Sequence, residues 1–437
     1  MTRFDPSGPL RGWLRPPSDK SISHRAALIA AMGEGETVVE GYLDAADTRS
    51  TLSAIAALGA EVVEEGLGKE GGAAGASGLQ LRIRGVGLRA AKPANIDVGN
   101  AGTLLRLLPG WLAGQPGGEW TLDGDESIRR RPVDRIAVPL RHMGADLSAR
   151  EDRLPPLAVR GAPLHGTTYE MPIATAQVKS CLLFAGLLAD GETRVIEPAA
   201  SRDHTERMLE AAGVRIESGD AEVVVHPAAQ LEPHELLVPA DISSAAFFLI
   251  AAVLVSESEV ELRRVGINST RTGLLTILER MGVEIEREKE AEGGGERVAT
   301  LRVRSAPLQA TEVGGPEIPL AIDELPLVAL AACFAEGTTT IRDAEELRRK
   351  ESDRIETVTA ALRALGGKVE PTADGMVIEG TGGLRGGTID SHGDHRIAML
   401  GAVAGLASKE GVEVRGMDAA AVSYPGFEDD LASLLSR

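Results

Sequence analysis

The 437-residue sequence predicts an α/β protein made of two similar domains. Three observations lead there. An apolar helix, a Gly/acid turn and a β-branched strand recur six times along the chain. Five of those strands run on into a second helix, which ends in a small-residue cap, glycine, before another strand. Two glycine- and charge-rich stretches, 66–78 and 286–297, occupy matching places in the two halves. The period of about 70–85 residues makes each repeat a folding unit rather than a thin solenoid turn. A chain of this length also exceeds what one core supports.

In order, the repeated segments are KSISHRAALIAAMGEGETVVEG, GTLLRLLPGWLAGQPGGEWTLDG, AQVKSCLLFAGLLADGETRVIEP, SSAAFFLIAAVLVSESEVELRRV, ELPLVALAACFAEGTTTIRDA and HRIAMLGAVAGLASKEGVEVRG. The second helices end in ALGAEV, HMGADL, AAGVRI, RMGVEI and ALGGKV, where glycine just past the last helical residue supplies a left-handed cap. Further strands such as LQLRIRG and ATLRVRS follow. Stretches 66–78 and 286–297 each join a post-helix strand to the next and read as exposed hairpin loops. The switch between halves falls at Val238-Pro239-Ala240-Asp241-Ile242-Ser243-Ser244, where proline ends a strand and Asp241 or Ser243 caps the next helix.

Composition narrows the function. Aromatic residues make up only 3% of the chain, so the core is aliphatic and stacking platforms for single-stranded nucleic acid are not expected. A net charge of -19 disfavours a polyanionic partner. Small anions remain open, because local clusters and helix N-termini bind them on an acidic protein. Cys181 and Cys333 lie in apolar helical runs and read as core, and the absence of a disulfide framework suits a reducing cytoplasm. The start, MTRFDPSGPLRGWLRPPSDK, lacks the apolar region of a signal peptide. The longest apolar run, 245–255, is too short to span a bilayer. A cytoplasmic protein with no membrane partner is expected, and nothing demands more than a monomer.

The charge clusters carry the chemistry. Read as a helix, Arg349-Lys350-Glu351-Ser352-Asp353-Arg354 sets Lys350 and Arg354 one turn apart on one face, with Glu351 beside them. Two fixed cations beside a titratable acid suit an anion that also exchanges a proton. The competing reading is a solvated face, with Glu346 and Lys350 as a local pair and Asp353 on a nearby arginine. Other basic clusters are Asp19 to Arg25, Arg129-Arg130-Arg131-Pro132 and Asp394-His395-Arg396.

Polar or basic residues also gather where the first helix of a unit begins. Lys20-Ser21 with Arg25, Asn100-Ala101-Gly102-Thr103 with Arg106, Thr175-Ala176-Gln177 with Lys179, Asp323-Glu324, and Asp394-His395-Arg396 stand there. Backbone N–H groups lack partners at these points. Each cluster alone is an ordinary N-cap. Cations are unfavourable near a helix N-terminus, so their repetition implies a ligand anion that offsets the repulsion. Asp323 is either a cap or a carboxylate facing cations, poised to move a proton. The HGDH spacing around His392 and His395 fits no standard zinc pattern. In SRDH, Arg202 is the residue of interest rather than His204. Turns such as GEGET follow helices instead of preceding them, the wrong context for a phosphate loop.

PSDKSISHRA, NAGTLLR, RRRPVDRI, TAQVKSCLLFAGL, IDELP, ELRRKESDRI and GDHRIAM, in this order, resemble the signature segments of the 5-enolpyruvylshikimate-3-phosphate synthases. The resemblance runs from Arg15 to Phe427. It implies two domains, each of three βαβαββ units around a pseudo-threefold axis (an inside-out α/β barrel), with the active site in the cleft between them. It places residues 19–239 in one domain and 1–18 plus 240–437 in the other. The implied reaction transfers the enolpyruvyl group of phosphoenolpyruvate to the 5-hydroxyl of shikimate 3-phosphate, with no metal or cofactor.

By motif, Lys20, Ser21, Arg25, Thr175, Gln177, Arg202, Asp323 and Lys350 would bind shikimate 3-phosphate. Lys20, Gly102, Arg131, Gln177, Arg354 and Arg396 would bind phosphoenolpyruvate. Asp323 would be the base at the 5-hydroxyl, Glu351 would take part in proton transfer at the methylene, and Lys20 would touch both substrates. Thr175 stands where many members have serine, and Val422 lies where many place a lysine. The alternative is the sister transferase acting on UDP-N-acetylglucosamine, which uses a loop cysteine; the matching stretch here, DGDESIRRRPV, has none.

Overall fold

The computed structural model describes residues 1–67 and 78–435. The first helices of the six units are Lys20–Met32, Gly102–Ala113, Ala176–Gly186, Ile242–Leu254, Leu325–Ala332 and His395–Ala407. They lead into strands Glu36–Tyr42, Glu119–Asp123, Thr193–Ile196, Glu259–Gly266, Thr338–Ile341 and Val412–Arg415. Ile242–Leu254 buries every residue except its last, as a helix that is apolar all round must. The second helices, Ala46–Ala57, Asp134–His142, His204–Ala211, Gly273–Arg280 and Arg354–Ala364, keep one wet face. Gly59, Gly144, Gly213, Gly282 and Gly366 end them at φ between +87° and +107°, where a side chain would be strained.

Five four-stranded sheets share one plan. In one of them, Ala94–Asp97 runs parallel to Glu119–Asp123, which pairs antiparallel with Leu154–Arg160 and, beyond it, Asp146–Arg150. A helix bridges the parallel pair, so the unit reads βαβαββ. Two sheets take their parallel edge from distant sequence. Glu235–Leu237 completes the sheet of Glu36–Tyr42, and Arg11–Leu14 completes that of Glu259–Gly266. The sixth unit has three strands, Gly387–Asp390, Val412–Arg415 and, antiparallel to the latter, Thr2–Phe4.

The chain therefore passes twice between the two sets of sheets, at 15–19 and 238–241. The passes lie side by side: the Asp19 N–H donates to the Pro239 carbonyl and the Asp241 N–H to the Pro17 carbonyl, both at 2.8 Å. Apolar side chains collect in two cores. One runs from Ile22 to Val238, and the other joins Leu10 and Leu14 to the residues from Ile242 to Leu434.

Stretch 286–297 is not the loop its composition suggests. Strands Ile285–Gly293 and Glu296–Arg304 continue through it and turn on the left-handed Gly294 and Gly295. Its acids are cross-strand partners, Glu286 and Glu288 of Arg302 and Glu286 of Arg304, so the charge run is a sheet surface. The matching expectation at 66–78 rests mainly on 68–77, outside the described residues.

Candidate active site

The carboxylate of Asp323, 15% exposed, is the centre of the charge pattern. It sits in the turn between Ile318–Ala321 and Leu325–Ala332 and caps neither helix. Around it stand Arg202 Nη2 at 2.5 Å, Arg354 Nη1 at 3.4 Å, Lys350 Nζ at 3.5 Å and Arg396 Nη2 at 3.9 Å. Arg396 Nη1 also donates to the Asp323 carbonyl at 2.9 Å. Burial alone would raise the Asp323 pKa. Lys350, Arg396, Arg202 and Arg354 overcome it and hold the carboxyl well below the usual range. Arg202 belongs to the first set of sheets and the other three cations to the second. That one carboxylate thus bonds across the junction of the halves.

The hexad 349–354 is not one helix. A 3-10 turn, Glu345–Arg349, ends before Lys350, and helix Arg354–Ala364 starts only after Asp353, whose side chain caps it by accepting the Glu356 N–H. Lys350 and Arg354 meet at Asp323 because the backbone bends between them, not because they share a helix face. Lys350 keeps its local partner Glu346 at 3.2 Å, and Asp353 pairs with Arg348 at 2.7 Å. Arg354, 1% exposed, also donates to Asp394 at 2.9 Å and Glu351 at 2.5 Å. Asp394 is fully buried and further accepts the Ser352 hydroxyl and the Arg396 N–H, so it anchors the cations and is committed. Glu351 is half-exposed at the rim. Burial would raise its pKa, but Arg354 brings it below the usual value. Burial and the neighbouring Arg396 hold the His395 imidazole neutral, its pKa down to about 4.

A second group lies on the first half. Of the helix starts, Asp19, Asp241 and Asp394 cap three with their side chains, as expected at Asp241, so the cap reading holds there rather than an open anion site. Gly102–Ala113 and Ala176–Gly186 begin with no side-chain cap, although the Gly102 N–H itself donates to the Asn100 carbonyl at 2.9 Å. Gln177 ties these two starts together, donating to Thr103 Oγ1 at 3.2 Å and accepting from Arg106 Nη1 at 3.3 Å. Arg131 reaches over the first of them to Asn100 at 3.0 Å. A methyl group on Gly102 would lie 2.6 Å from Arg131 Nη1, so only glycine leaves the guanidinium there.

Lys20 pairs with Asp47 at 3.0 Å. Arg25 is buried on Thr205, Ser180 and the Ser21 carbonyl. Thr175 lines a largely apolar cavity of about 260 Å³ with Tyr169, Met171 and Ile173. Among the described residues no hydrogen bond or ion pair links Lys20, Gly102, Arg131 or Thr175 to the Asp323 group. Lys179, grouped by sequence with the helix starts, points inward and is locked between Glu197 and Glu206 at 2.7 Å each. Cys181 and Cys333 are fully buried, and burial pushes both thiols up, away from thiolate chemistry.

His204 is the residue the sequence undervalued. Its Nδ1 lies 2.7 Å from Glu296 Oε1, and both side chains are 1% exposed. The pair joins helix His204–Ala211 of the first half to the hairpin of the second. Ninety-two positions separate the two residues, and no local pattern announces the contact.

The family model described as EPSP synthase (3-phosphoshikimate 1-carboxyvinyltransferase) matches residues 4–431. The chain is 49% identical to the 3-phosphoshikimate 1-carboxyvinyltransferase of Synechococcus sp. (strain RCC307), over 98% of this chain and 97% of that one. It is likewise 49% identical to the enzyme of that name from Gloeobacter violaceus, over 98% and 97%. Among solved structures, EPSP synthase from Acinetobacter baumannii superposes with a TM-score of 0.89 at 39% identity, covering 98% of this chain and 96% of that one.

Proposed function

The chain belongs to the EPSP synthase family, and on that footing we propose that it transfers the enolpyruvyl group of phosphoenolpyruvate to the 5-hydroxyl of shikimate 3-phosphate, releasing phosphate. The observation that carries the reading is the Asp323 carboxylate ringed by Arg202, Lys350, Arg354 and Arg396. Two substrates that together bring two phosphates and two carboxylates need cations drawn from several elements, and charge-assisted contacts are the strong ones.

Shikimate 3-phosphate takes Lys20, Ser21, Arg25, Thr175, Gln177, Arg202 and Lys350, with Asp323 at its 5-hydroxyl. Phosphoenolpyruvate takes Lys20, Gln177, Arg131, Arg354, Arg396 and the start of Gly102–Ala113. Without ligand, Asp323 is too acidic to be a useful base. Substrate anions draw Arg202 and Lys350 away and put negative charge nearby, and both changes raise its pKa toward the working range. Asp323 then takes the hydroxyl proton as the oxygen attacks C2. Glu351, turned toward Arg354 at the rim, serves proton transfer at the methylene carbon. In the tetrahedral intermediate the guanidinium groups of Arg131, Arg354 and Arg396 stabilise the phosphate as it leaves.

We take residues 19–239 as one domain and 1–18 with 240–437 as the other; the separate cores and the sheet membership of Arg11–Leu14 and Glu235–Leu237 support this division. The paired passes at 15–19 and 238–241 then form a hinge, and closure about it brings Gly102 and Arg131 to the Asp323 group. No described helix is long and apolar enough to cross a membrane. We read the protein as a monomeric cytoplasmic enzyme working without a cofactor.

The test is phosphate release from phosphoenolpyruvate with shikimate 3-phosphate or UDP-N-acetylglucosamine as acceptor. Turnover with the first supports the reading, and turnover with the nucleotide sugar alone overturns it. Glu351→Gln is expected to bind both substrates and lose most turnover; near-normal turnover would remove its proton-transfer role.

A further inference from the structure

Arg202 sits in irregular backbone just before helix His204–Ala211, and its side chain bonds only Asp323 among the described residues. Among the described residues, no hydrogen bond or ion pair from its own element fixes its direction. The two residues after it are held from the other half. Asn268 Nδ2 donates to Asp203 Oδ1 at 2.6 Å, and Thr270 Oγ1 donates to the same oxygen at 3.3 Å. Glu296 takes His204 Nδ1 at 2.7 Å, and Asn268 lies between, 3.4 Å from that nitrogen and 3.5 Å from Glu296 Oε2. Within the first half, Arg207 Nε closes the set on Asp203 Oδ2 at 2.7 Å.

Backbone packing locks the same place. A methyl group on Gly295 would lie 2.4 Å from the Arg207 carbonyl, and one on Gly294 would lie 3.2 Å from Leu236 Cα, so the hairpin tip is seated against the first half. Leu236 lies in strand Glu235–Leu237, directly before the pass at 238–241, so the contact is on the pivot side of the junction.

A tip that only needed adhesion would be served by apolar side chains, because burying polar groups and charges is costly unless each is matched. Here Asn268, His204 and Glu296 are all buried, and the Glu296 carboxylate joins them, with one oxygen on His204 Nδ1 and the other accepting from Asn268 Nδ2, while His204 Nε2 has no partner among the described residues. Such a network adds orientation. We propose that Glu296 and Asn268 are positioning residues for Arg202: from the second half they fix Asp203 and His204 so that the adjoining guanidinium is presented beside Asp323, where an incoming phosphate draws it off the carboxylate. On the function proposed above, they thereby set the binding of shikimate 3-phosphate without touching it.

The test is a double-mutant cycle. Glu296→Gln and Asn268→Ala are made in the wild-type chain and in an Arg202→Ala background, with KM for each substrate, kcat and thermal unfolding measured. The expected result is a rise in KM for shikimate 3-phosphate of about tenfold or more. KM for phosphoenolpyruvate and kcat are expected to move within about twofold, and the rise to vanish in the Arg202→Ala background. An equal rise in both backgrounds, or an unchanged KM in soluble folded variants, overturns the proposal. Asn268→Ala leaves the His204–Glu296 pair in place and carries the same comparison should Glu296→Gln not fold. A wild-type chain inactive toward shikimate 3-phosphate would sink the function, whereas an active wild type with additive variants would sink only the positioning role.

Discussion

Replacing Gly102 with alanine separates phosphoenolpyruvate binding from the rest of the site. Gly102 is the first residue of helix Gly102–Ala113 and its backbone is not left-handed, so alanine meets no conformational strain. The difficulty is space. The added methyl would lie 2.6 Å from Arg131 Nη1 and 3.2 Å from Arg106 Nη1. Relaxed contacts of this kind settle near about 3.5 Å, so the Arg131 guanidinium withdraws by roughly 0.9 Å. A charge-assisted hydrogen bond is worth about 1.5–3 kcal/mol. Losing one from Arg131 weakens phosphoenolpyruvate binding about 10–150-fold. The assay is phosphate release with phosphoenolpyruvate varied at saturating shikimate 3-phosphate, then the converse, with thermal unfolding alongside. KM for phosphoenolpyruvate should rise by that factor, KM for shikimate 3-phosphate should stay within about twofold, and Tm should not fall. A rise shared equally by both substrates, or an unchanged KM for phosphoenolpyruvate, refutes the placement of Gly102 and Arg131.

Three further outcomes are expected. Asp323→Asn should lower kcat by on the order of 10²–10⁴ while shikimate 3-phosphate binds at least as tightly, since four cations lose the one carboxylate they share; calorimetry showing weaker binding with normal turnover would contradict this. Lys179→Met strands Glu197 and Glu206 in the core without a cation, and should cost about 3–5 kcal/mol, seen as a lower Tm; an unchanged Tm would show the triad to be dispensable. Burial holds His395 down to about 4 and His24 down to about 3, against 6.5 for free histidine. The unfolded chain therefore takes up protons first as the pH drops, so stability falls from pH 6.5 to about 4 through His395 and on to about 3 through His24, by about 1.4 kcal/mol per pH unit for each. Urea midpoints should fall across that window, and His24→Gln should flatten the slope; an identical slope would remove His24 from the account.

What was legible in the sequence was what is local. The helix-to-strand repeats are written in contiguous apolar runs, and the glycines at 59, 144, 213, 282 and 366 announce a left-handed cap within a few residues. The cation clusters are contiguous too. Pairings across distance were not legible: Glu235–Leu237 beside Glu36–Tyr42, or Arg202 on Asp323, follow from the closing of the fold and leave no nearby mark. Composition misled where a charge run turned out to be a strand, as at 286–297, whose acids answer arginines on the partner strand. Periodicity misled at 349–354, because the Asp353 cap cuts the run in two. His204 looked incidental because its partner lies on another unit.

The borrowed strands also order events during synthesis. Arg11–Leu14 leaves the ribosome well before Glu259–Gly266, the strand it pairs with. At about 5–20 residues per second that wait is on the order of 10–50 s. Glu235–Leu237, by contrast, arrives last among the strands of its own half and closes the sheet of Glu36–Tyr42 as it emerges. One half can thus be completed on the ribosome while Arg11–Leu14, an unpaired strand, trails from its front. That exposed strand is where a nascent chain would meet a chaperone, or another copy of itself.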